Sequence, residues 1–544
     1  DILRNNIFGV DIDHEATEVS IMSLYLKMLD DGFDKGQQDL FFAKGSILPD
    51  MSENIKCGNS LVGEEFFQEN ATDDILISKI KPFCWKTSFP VVFETNYGFD
   101  VIIGNPPYIR VQELEYTFID YCKKNYETAW KRIDISILFI EKANVLLNIT
   151  GLIGFITSNQ FLATEYGRKC RGFLLSKCNI EKIVDYGDLP VFQGALTYVS
   201  VFILRKGKTT SFDYYRINRA IKIIQNAPKI KIDAASLGED VWVLQDESTR
   251  KLLKKLNKLK KLSSVAKSCY GIITGSDQVF IFTEKEIKDH DLEPGIFLPL
   301  IRAQDCERNA YLNTDKYVLY PYVEFEGDTV LLSEKELSST YPKTYQYLKI
   351  NKKLLSARKD SRNLFTEKNC WYSLVRHGQY KNFKQKKIVT PGEVKRNKFC
   401  IDVSGAGFSG ARVFGIILSD SSRIDIETLM VVLNSRLVEF WLHMFAPLKQ
   451  GGYYSYSSSF LDSIPLPDII EGTNKDENIE LNKLSNIIIA NNKKIRQNKI
   501  NSSQAETQLM SAAFIEKRIN ELVYQLYDLT PDEIKIIEES TAKT

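Results

Sequence analysis

The stretch "FDVIIGNPPYIR", residues 99–110, constrains this chain more than any other. Val101, Ile102 and Ile103 are β-branched and run into turn residues, so they read as a buried strand. After Gly104 the backbone has no regular continuation. Pro106 and Pro107 fix φ, and Pro107 also drives the residue before it out of the helical region. The chain therefore leaves the strand stiff and extended. In that geometry the Asn105 side-chain oxygen and the Pro106 carbonyl form a fixed pair of acceptors, with the flat face of Tyr108 one step further on. A planar ring bearing an amino group would stack on Tyr108 and give its two N–H bonds to those oxygens. The amino nitrogen's lone pair then becomes available to attack an electrophilic methyl group. Such chemistry requires no covalent intermediate and no metal.

The surroundings suit a strand that ends at a site. "NIFGV" reads as a short strand, and "EATEVSIMSLYLKMLDDG" has helical spacing at Ile21, Leu24, Tyr25 and Met28. "NIKCGNSLVG" is a strand running into a turn. "DISILFIEKANVLLN" is an amphipathic helix, "GLIGFITS" a buried strand, "RKCRGFLLSKC" a helix, "IEKIVDYG" a strand and "TYVSVFILRK" a last strand. This alternation predicts a mostly parallel, doubly wound sheet, in which ligands sit beyond the carboxyl ends of the strands. "KLLKKLNKLKKL" (251–262), with leucines on one face and lysines on the others, predicts a solvated connector helix. Beyond it come short β-like runs and basic loops. Positive charge gathers at 351–362 and 381–398, near Tyr345, Tyr347, Trp371 and Tyr372, and the tail is helical.

Composition narrows the class. At 544 residues the chain is too long for one ordinary core. Lys+Arg 71 against Asp+Glu 70 leaves almost no net charge, so a nucleic-acid face must come from clustering. Nine scattered cysteines without a CxxC pair argue against a zinc cluster or disulfide framework and suit a reducing cytoplasm. The four histidines, His14, His290, His377 and His443, form no metal pattern, so no metal is expected. No apolar run is long enough to span a bilayer, and no membrane partner is expected. The expected domains are 1–245, partial and catalytic; 246–262, a connector helix; 263–470, target recognition; and 471–544, helical.

With these residues in view, "NPPY" resembles the catalytic motif of amino-methyltransferases that use S-adenosylmethionine, in its adenine-N6 form. Cytosine-N4 enzymes more often have serine in place of Asn105, and cytosine-C5 enzymes need a Pro-Cys pair that does not occur here. The resemblance assigns Asn105, Pro106, Pro107 and Tyr108 to catalysis. It maps Asp11 of "IFGVDID" to the cofactor ribose and Ile12 to its adenine. In "KCGNSL" it maps Asn59, followed by Ser60, to the position of an acid that accepts from the adenine amine; Asn keeps the acceptor and loses the charge. "DISILFIEKA", with Asp134 and Phe139, resembles the helix motif after NPPY. "VFQGALTYVSVFIL" resembles a later motif whose aromatic, Phe192 here, meets the flipped base; a core role for Phe192 stands beside it.

The second half resembles the target-recognition domain of gamma-class, TaqI-like adenine methyltransferases and type IIG restriction–modification enzymes. "GIITGSDQVFIF", "LPLIRAQD" and above all "APLKQGGYYSYSSSFLDSIPLP" carry it. The fold class implied is α/β: a Rossmann-like methyltransferase sheet, incomplete at the N-terminus, then an α+β recognition domain and C-terminal helices. The implied partner is double-stranded DNA, held by a monomer. The chain starts at Asp1 and reads as a piece beginning inside a domain. The glycine-rich loop that cradles the cofactor's methionine end is expected upstream, on a strand lying between "NIFGV" and "FDVIIG". "GAGFSG" (405–410) reads instead as a hairpin loop. "TEKEIK" (283–288) is a charged helix, so any nuclease is also expected upstream. Two other readings use the same residues: a DNA-recognition fragment without activity of its own, and an RNA or protein-amide methyltransferase.

Overall fold

The computed structural model describes residues 2–30, 50–66, 73–108, 115–131, 133–187, 189–192, 198–217, 224–360, 363–364, 370–410, 412–449, 451–467, 475–497 and 502–542. The chain divides into two compact units, Asp1–Leu244 and Gln245–Thr544.

In the first unit, Gly9–Asp11 (β1) pairs in parallel with Ile55–Cys57 (β2), Asp11 standing opposite Cys57. The strand is shorter than "NIFGV" implies, because Ile2–Asn6 is a turn of helix. Asn54 holds that turn by donating to the carbonyls of Arg4 (2.8 Å) and Ile7 (2.9 Å). The helix predicted next spans His14–Asp30.

The remaining strands are Phe99–Gly104 (β3), Leu147–Ser158 (β4), Cys178–Asp185 (β5), Val199–Lys206 (β6), Ser211–Arg216 (β7) and Lys229–Asp233 (β8). They form one sheet in the order β3-β4-β6-β5-β7-β8. β3, β4, β5 and β7 run one way, while β6 and β8 run against them. β6 is the strand read as the last one; β7 and β8 follow it. Their alternation, with Phe212, Tyr214 and Ile232 turned inward, was present in "SFDYYR" and "KIKID".

One face of this sheet is closed. Ile140 of the helix Ile135–Leu146 and Cys170, Phe173 and Leu174 of the helix Arg168–Ser176 pack on Ile153, Phe155, Ile183, Phe202 and Leu204. The opposite face carries half-buried Leu152, Ile156, Val201 and Ile203. β3 is therefore not the buried strand expected. It is an edge strand, with Val101 58% and Ile103 81% exposed. Burial of a strand depends on its neighbours, and on this face no described element covers those two side chains. β1 and β2 share no ladder with β3 among the described residues. The two groups meet through rings instead, with Phe8–Phe99 centroids 6.1 Å and Trp85–Phe99 centroids 5.7 Å apart.

The second unit holds two four-stranded sheets. In one, Ala266–Tyr270, Val413–Leu418, Lys387–Pro391 and Cys400–Asp402 are antiparallel. In the other, Gly407–Phe408 of "GAGFSG" pairs with Leu300–Ile301, so this stretch opens no helix. The basic run 251–262 is helical only as far as Leu256, and its Leu252, Leu253 and Leu256 are buried. "TEKEIK" forms the helix Glu284–Asp289, closed by a Thr283–Glu286 capping box. Several residues of the basic stretches are not on the surface. Lys387 and Asp402 form a fully buried ion pair, and Arg358 is spent on the carbonyls of Thr274, Leu355, Trp371 and Ser373. Trp371 and Tyr372 belong to the core. The helices Lys475–Gln497 and Ser502–Leu526 pack on one another, and Arg518 bridges to Glu480. No helix among the described residues is long and apolar enough to cross a membrane.

Candidate active site

The turn after β3 stands where the sequence places it, at the carboxyl end of a strand. Gly104 pairs with Phe155, and a Cβ at Gly104 would lie 3.0 Å from that ring. Glycine lets the strand end run this close to β4. Asn105 and Pro107 are exposed, Pro106 is buried, and Tyr108 is half-buried. Tyr108 Oη donates to Asn105 Oδ1 at 3.0 Å and lies 3.3 Å from the Ile156 carbonyl of β4. The ring is thereby tied to two strand ends, and Asn105 Oδ1 already holds one proton. Burial, and secondarily the Asp134 carboxylate, raise the Tyr108 pKa, so the phenol stays protonated and remains a donor.

Asp134 begins the helix Ile135–Leu146 beside this turn. Its Oδ1 accepts from Ser136 N (3.0 Å) and Ser136 Oγ (2.7 Å), capping the helix, and its Oδ2 accepts from Tyr166 Oη at 3.2 Å. Ile109 and Arg110 of the motif lie outside the described residues.

The cofactor candidates form a second group. Asp11 closes β1 and Ile12 follows it, while Asn59 and Ser60 follow the parallel partner β2, so both loops leave the carboxyl ends of adjacent strands. Gly58 N donates to the Asp11 carbonyl at 2.8 Å. Lys81, which the sequence reading did not single out, stitches the loops together: its Nζ donates to the Ile12 carbonyl at 3.0 Å and its carbonyl accepts from Asn59 N at 2.7 Å. Asp11 is exposed, and its Oδ1 accepts from Asp13 N at 2.9 Å. Ile12 is 49% exposed, a flat apolar patch beside that carboxylate. Asn59 is differently disposed. Its Oδ1 accepts from Leu61 N (3.0 Å) and its Nδ2 donates to the Ile80 carbonyl (3.2 Å), so one lone pair of Oδ1 is left for a ligand. The Ser60 carbonyl accepts from Trp85 Nε1 at 3.0 Å.

Phe192 is half-buried, on the segment between β5 and β6. The start of β6, where that segment ends, lies beside the end of β4, Ser158 pairing with Val199. Gln193–Thr197 of the motif lie outside the described residues. A residue missed in the sequence stands at the root of this segment. Asp185 is buried, and burial alone would raise its pKa. Arg216, the Gly187 N–H, Tyr214 and Asn159 outweigh burial and hold it below the ordinary carboxylate value. Its signal was an acid closing a strand in "IVD", as Asp11 closes "GVD". No group of three His, Cys, Asp or Glu among the described residues could hold a metal ion.

Residues 5–192 match the Eco57I restriction-modification methylase family, and residues 329–466 match the TaqI-like C-terminal specificity domain. The first match lies within the first compact unit and the second within the second. It is 27% identical over 507 residues to the type II restriction enzyme and methyltransferase RM.Eco57I of Escherichia coli, across 86% of this chain and 48% of that protein. It is 26% identical over 399 residues to the type II methyltransferase M.BstVI of Geobacillus stearothermophilus, across 68% of this chain and 67% of that one. The chain therefore spans about half the length of the first relative and about two thirds of the second. Among solved structures, the type IIL restriction-modification enzyme MmeI in complex with DNA shares the fold. Its TM-score is 0.58 at 15% identity, covering 99% of this chain and 73% of that one.

Proposed function

We propose that this chain is the modification part of a restriction–modification protein, a site-specific DNA adenine-N6 methyltransferase that acts on double-stranded DNA. The observation that carries this reading is the Asn105–Tyr108 turn, anchored by Tyr108 Oη over the ends of β3 and β4. Asn105 Oδ1 and the Pro106 carbonyl accept the two amino protons of an everted adenine. Asn105 Oδ1 keeps a second lone pair beside the one that Tyr108 uses. Neither acceptor is basic enough to remove a proton before transfer, so they align the amine while its lone pair points away from them. Tyr108 stacks on the base, and Phe192 meets its edge. Eversion costs a few kcal/mol, which a stack of ~1–3 kcal/mol together with phosphate contacts from the second unit offsets.

The strand-end loops suit the adenosine end of S-adenosylmethionine. Asp11 offers an exposed carboxylate to ribose hydroxyls and Ile12 an exposed apolar face, while Asn59 keeps one acceptor position and Ser60 stands next to it. When bound, S-adenosylmethionine supplies a methyl group activated by its sulfonium. The nine free cysteines fit a reducing compartment such as the cytoplasm.

The test is incubation of the chain with labelled S-adenosylmethionine and unmethylated bacterial DNA, followed by digestion to nucleosides. Label in N6-methyladenine supports the reading, and Asn105→Ala should abolish it while DNA binding survives. The commitment of Asn59 to its own turn favours a second reading, a recognition piece without catalysis. That reading is supported by salt-sensitive DNA binding without label.

A further inference from the structure

We propose that Asp185, acting with Asn159, is a positioning residue for base capture: it locks the segment that carries Phe192 onto the strand end that anchors Tyr108. The inference rests on the reading of Phe192 as the residue that meets the target base.

Asp185 closes β5 and sits at the centre of a buried set of donors. Its Oδ1 accepts from Asn159 Nδ2 at 2.7 Å, from Gly187 N at 2.9 Å and from Ser200 Oγ at 3.2 Å. Its Oδ2 accepts from Tyr214 Oη at 2.8 Å and lies 3.3 Å from Arg216 Nη1. These donors come from different places. Tyr214 and Arg216 belong to β7 and fix the carboxylate from the sheet. Ser200 belongs to β6, where the segment ends. Gly187 is where it begins, and its positive φ of 56° turns the chain away from the sheet. A Cβ at Gly187 would lie 3.1 Å from Arg216 Nη2, so this turn is held close against the same cluster.

Asn159 makes the link to the catalytic turn. It follows β4 directly, three residues after Ile156, whose carbonyl receives Tyr108 Oη. Its backbone N–H donates to the Tyr198 carbonyl at 2.9 Å, and its side chain donates to Asp185. Asn159 thus grips the segment at its far end through the backbone and at its near end through Asp185. A lone structural carboxylate needs only enough partners to compensate burial. Here the partners join both ends of one segment to the strand end beneath the reacting group.

The experiment measures methyl transfer to unmethylated bacterial DNA by the whole chain carrying Asp185→Asn, Asn159→Ala or Phe192→Ala, and Phe192→Ala combined with each of the first two. Asn159→Ala leaves Asp185 with Arg216, Tyr214, Ser200 and Gly187, so it keeps the test open if Asp185→Asn fails to fold. The expected result is a fall in kcat of about tenfold or more for each single variant, with KM for DNA nearly unchanged and, for Asn159→Ala and Phe192→Ala, the melting temperature nearly unchanged as well. In the Phe192→Ala background, Asn159→Ala and Asp185→Asn should add little further loss, since they act through a ring that is no longer there. Losses that multiply instead overturn the proposal while leaving the role of Phe192 intact, and so does full activity of a folded Asn159→Ala variant. Full activity of Phe192→Ala overturns the reading of Phe192, and the proposal with it.

Discussion

Tyr108 and Asn105 are joined across the two prolines between them: the phenol donates to Asn105 Oδ1 at 3.0 Å. The bond fixes the amide so that its oxygen, not its nitrogen, faces the ring. The turn thus presents an oriented acceptor before any base arrives, and part of the ordering entropy is already spent.

Tyr108→Phe separates this orienting bond from stacking. It keeps the ring and removes the O–H that Asn105 Oδ1 and the Ile156 carbonyl share, worth about 0.5–1.5 kcal/mol, so kcat should fall by roughly 2–12-fold. Tyr108→Ala also removes a stack of ~1–3 kcal/mol and should lower kcat further. Steady-state methylation of bacterial DNA by both variants checks the order. Equal losses would assign the effect to the hydroxyl alone.

Asp11→Ala should weaken S-adenosylmethionine binding by about tenfold or more, the size of a lost charge-assisted hydrogen bond. Asp11 is exposed, and its side-chain bond to Asp13 N is local, so the fold should be unaffected. Calorimetric titration with the cofactor reads the change. An unaltered affinity would remove Asp11 from the site.

The second unit should lose stability in mild acid through His443. Its ring stacks on Tyr454, with centroids 3.7 Å apart and planes 8° from parallel. Burial lowers its pKa from 6.5 to about 4. A histidine depressed in the folded state binds its proton preferentially when unfolded, so stability falls as pH drops from about 6.5 to about 4, with a slope of roughly 1.4 kcal/mol per pH unit. Urea unfolding at pH 5 and pH 7.5 measures the slope. His443→Phe should flatten it.

Lys387 and Asp402 are both fully buried, and Lys387 Nζ also donates to the Phe383 carbonyl at 2.6 Å. Removing one partner leaves an uncompensated charge, so Asp402→Ala should cost ~3–5 kcal/mol. Replacing both by apolar residues should cost much less. Thermal melting of the single and double variants decides between these outcomes.

What the sequence made legible was local. The stiff exit from β3 and the acid closing β1 depend on neighbours within a few positions, and both read directly from residue type. Exposure was harder to read. "FDVIIG" has the composition of a central strand, yet Val101 and Ile103 face solvent because no described element lies against them. Arg358 and Lys387 look like phosphate ligands in a basic run, but folding turns both inward, Arg358 onto carbonyls that include Thr274, 84 positions away, and Lys387 onto the Asp402 carboxylate. The role of Asp185 stayed hidden because all its partners but Gly187 come from the residue after β4, from β6 and from β7, which only folding assembles.

The open border of β3 also bears on how the protein behaves as a material. Val101 and Ile103 leave apolar surface on a strand that lacks an outer neighbour among the described residues. Such a border is a template for a second chain, and its effect grows with protein concentration. Self-association through it would be read as a negative second virial coefficient in light scattering. A single lysine at position 103 should shift that coefficient toward repulsion without touching the turn that follows.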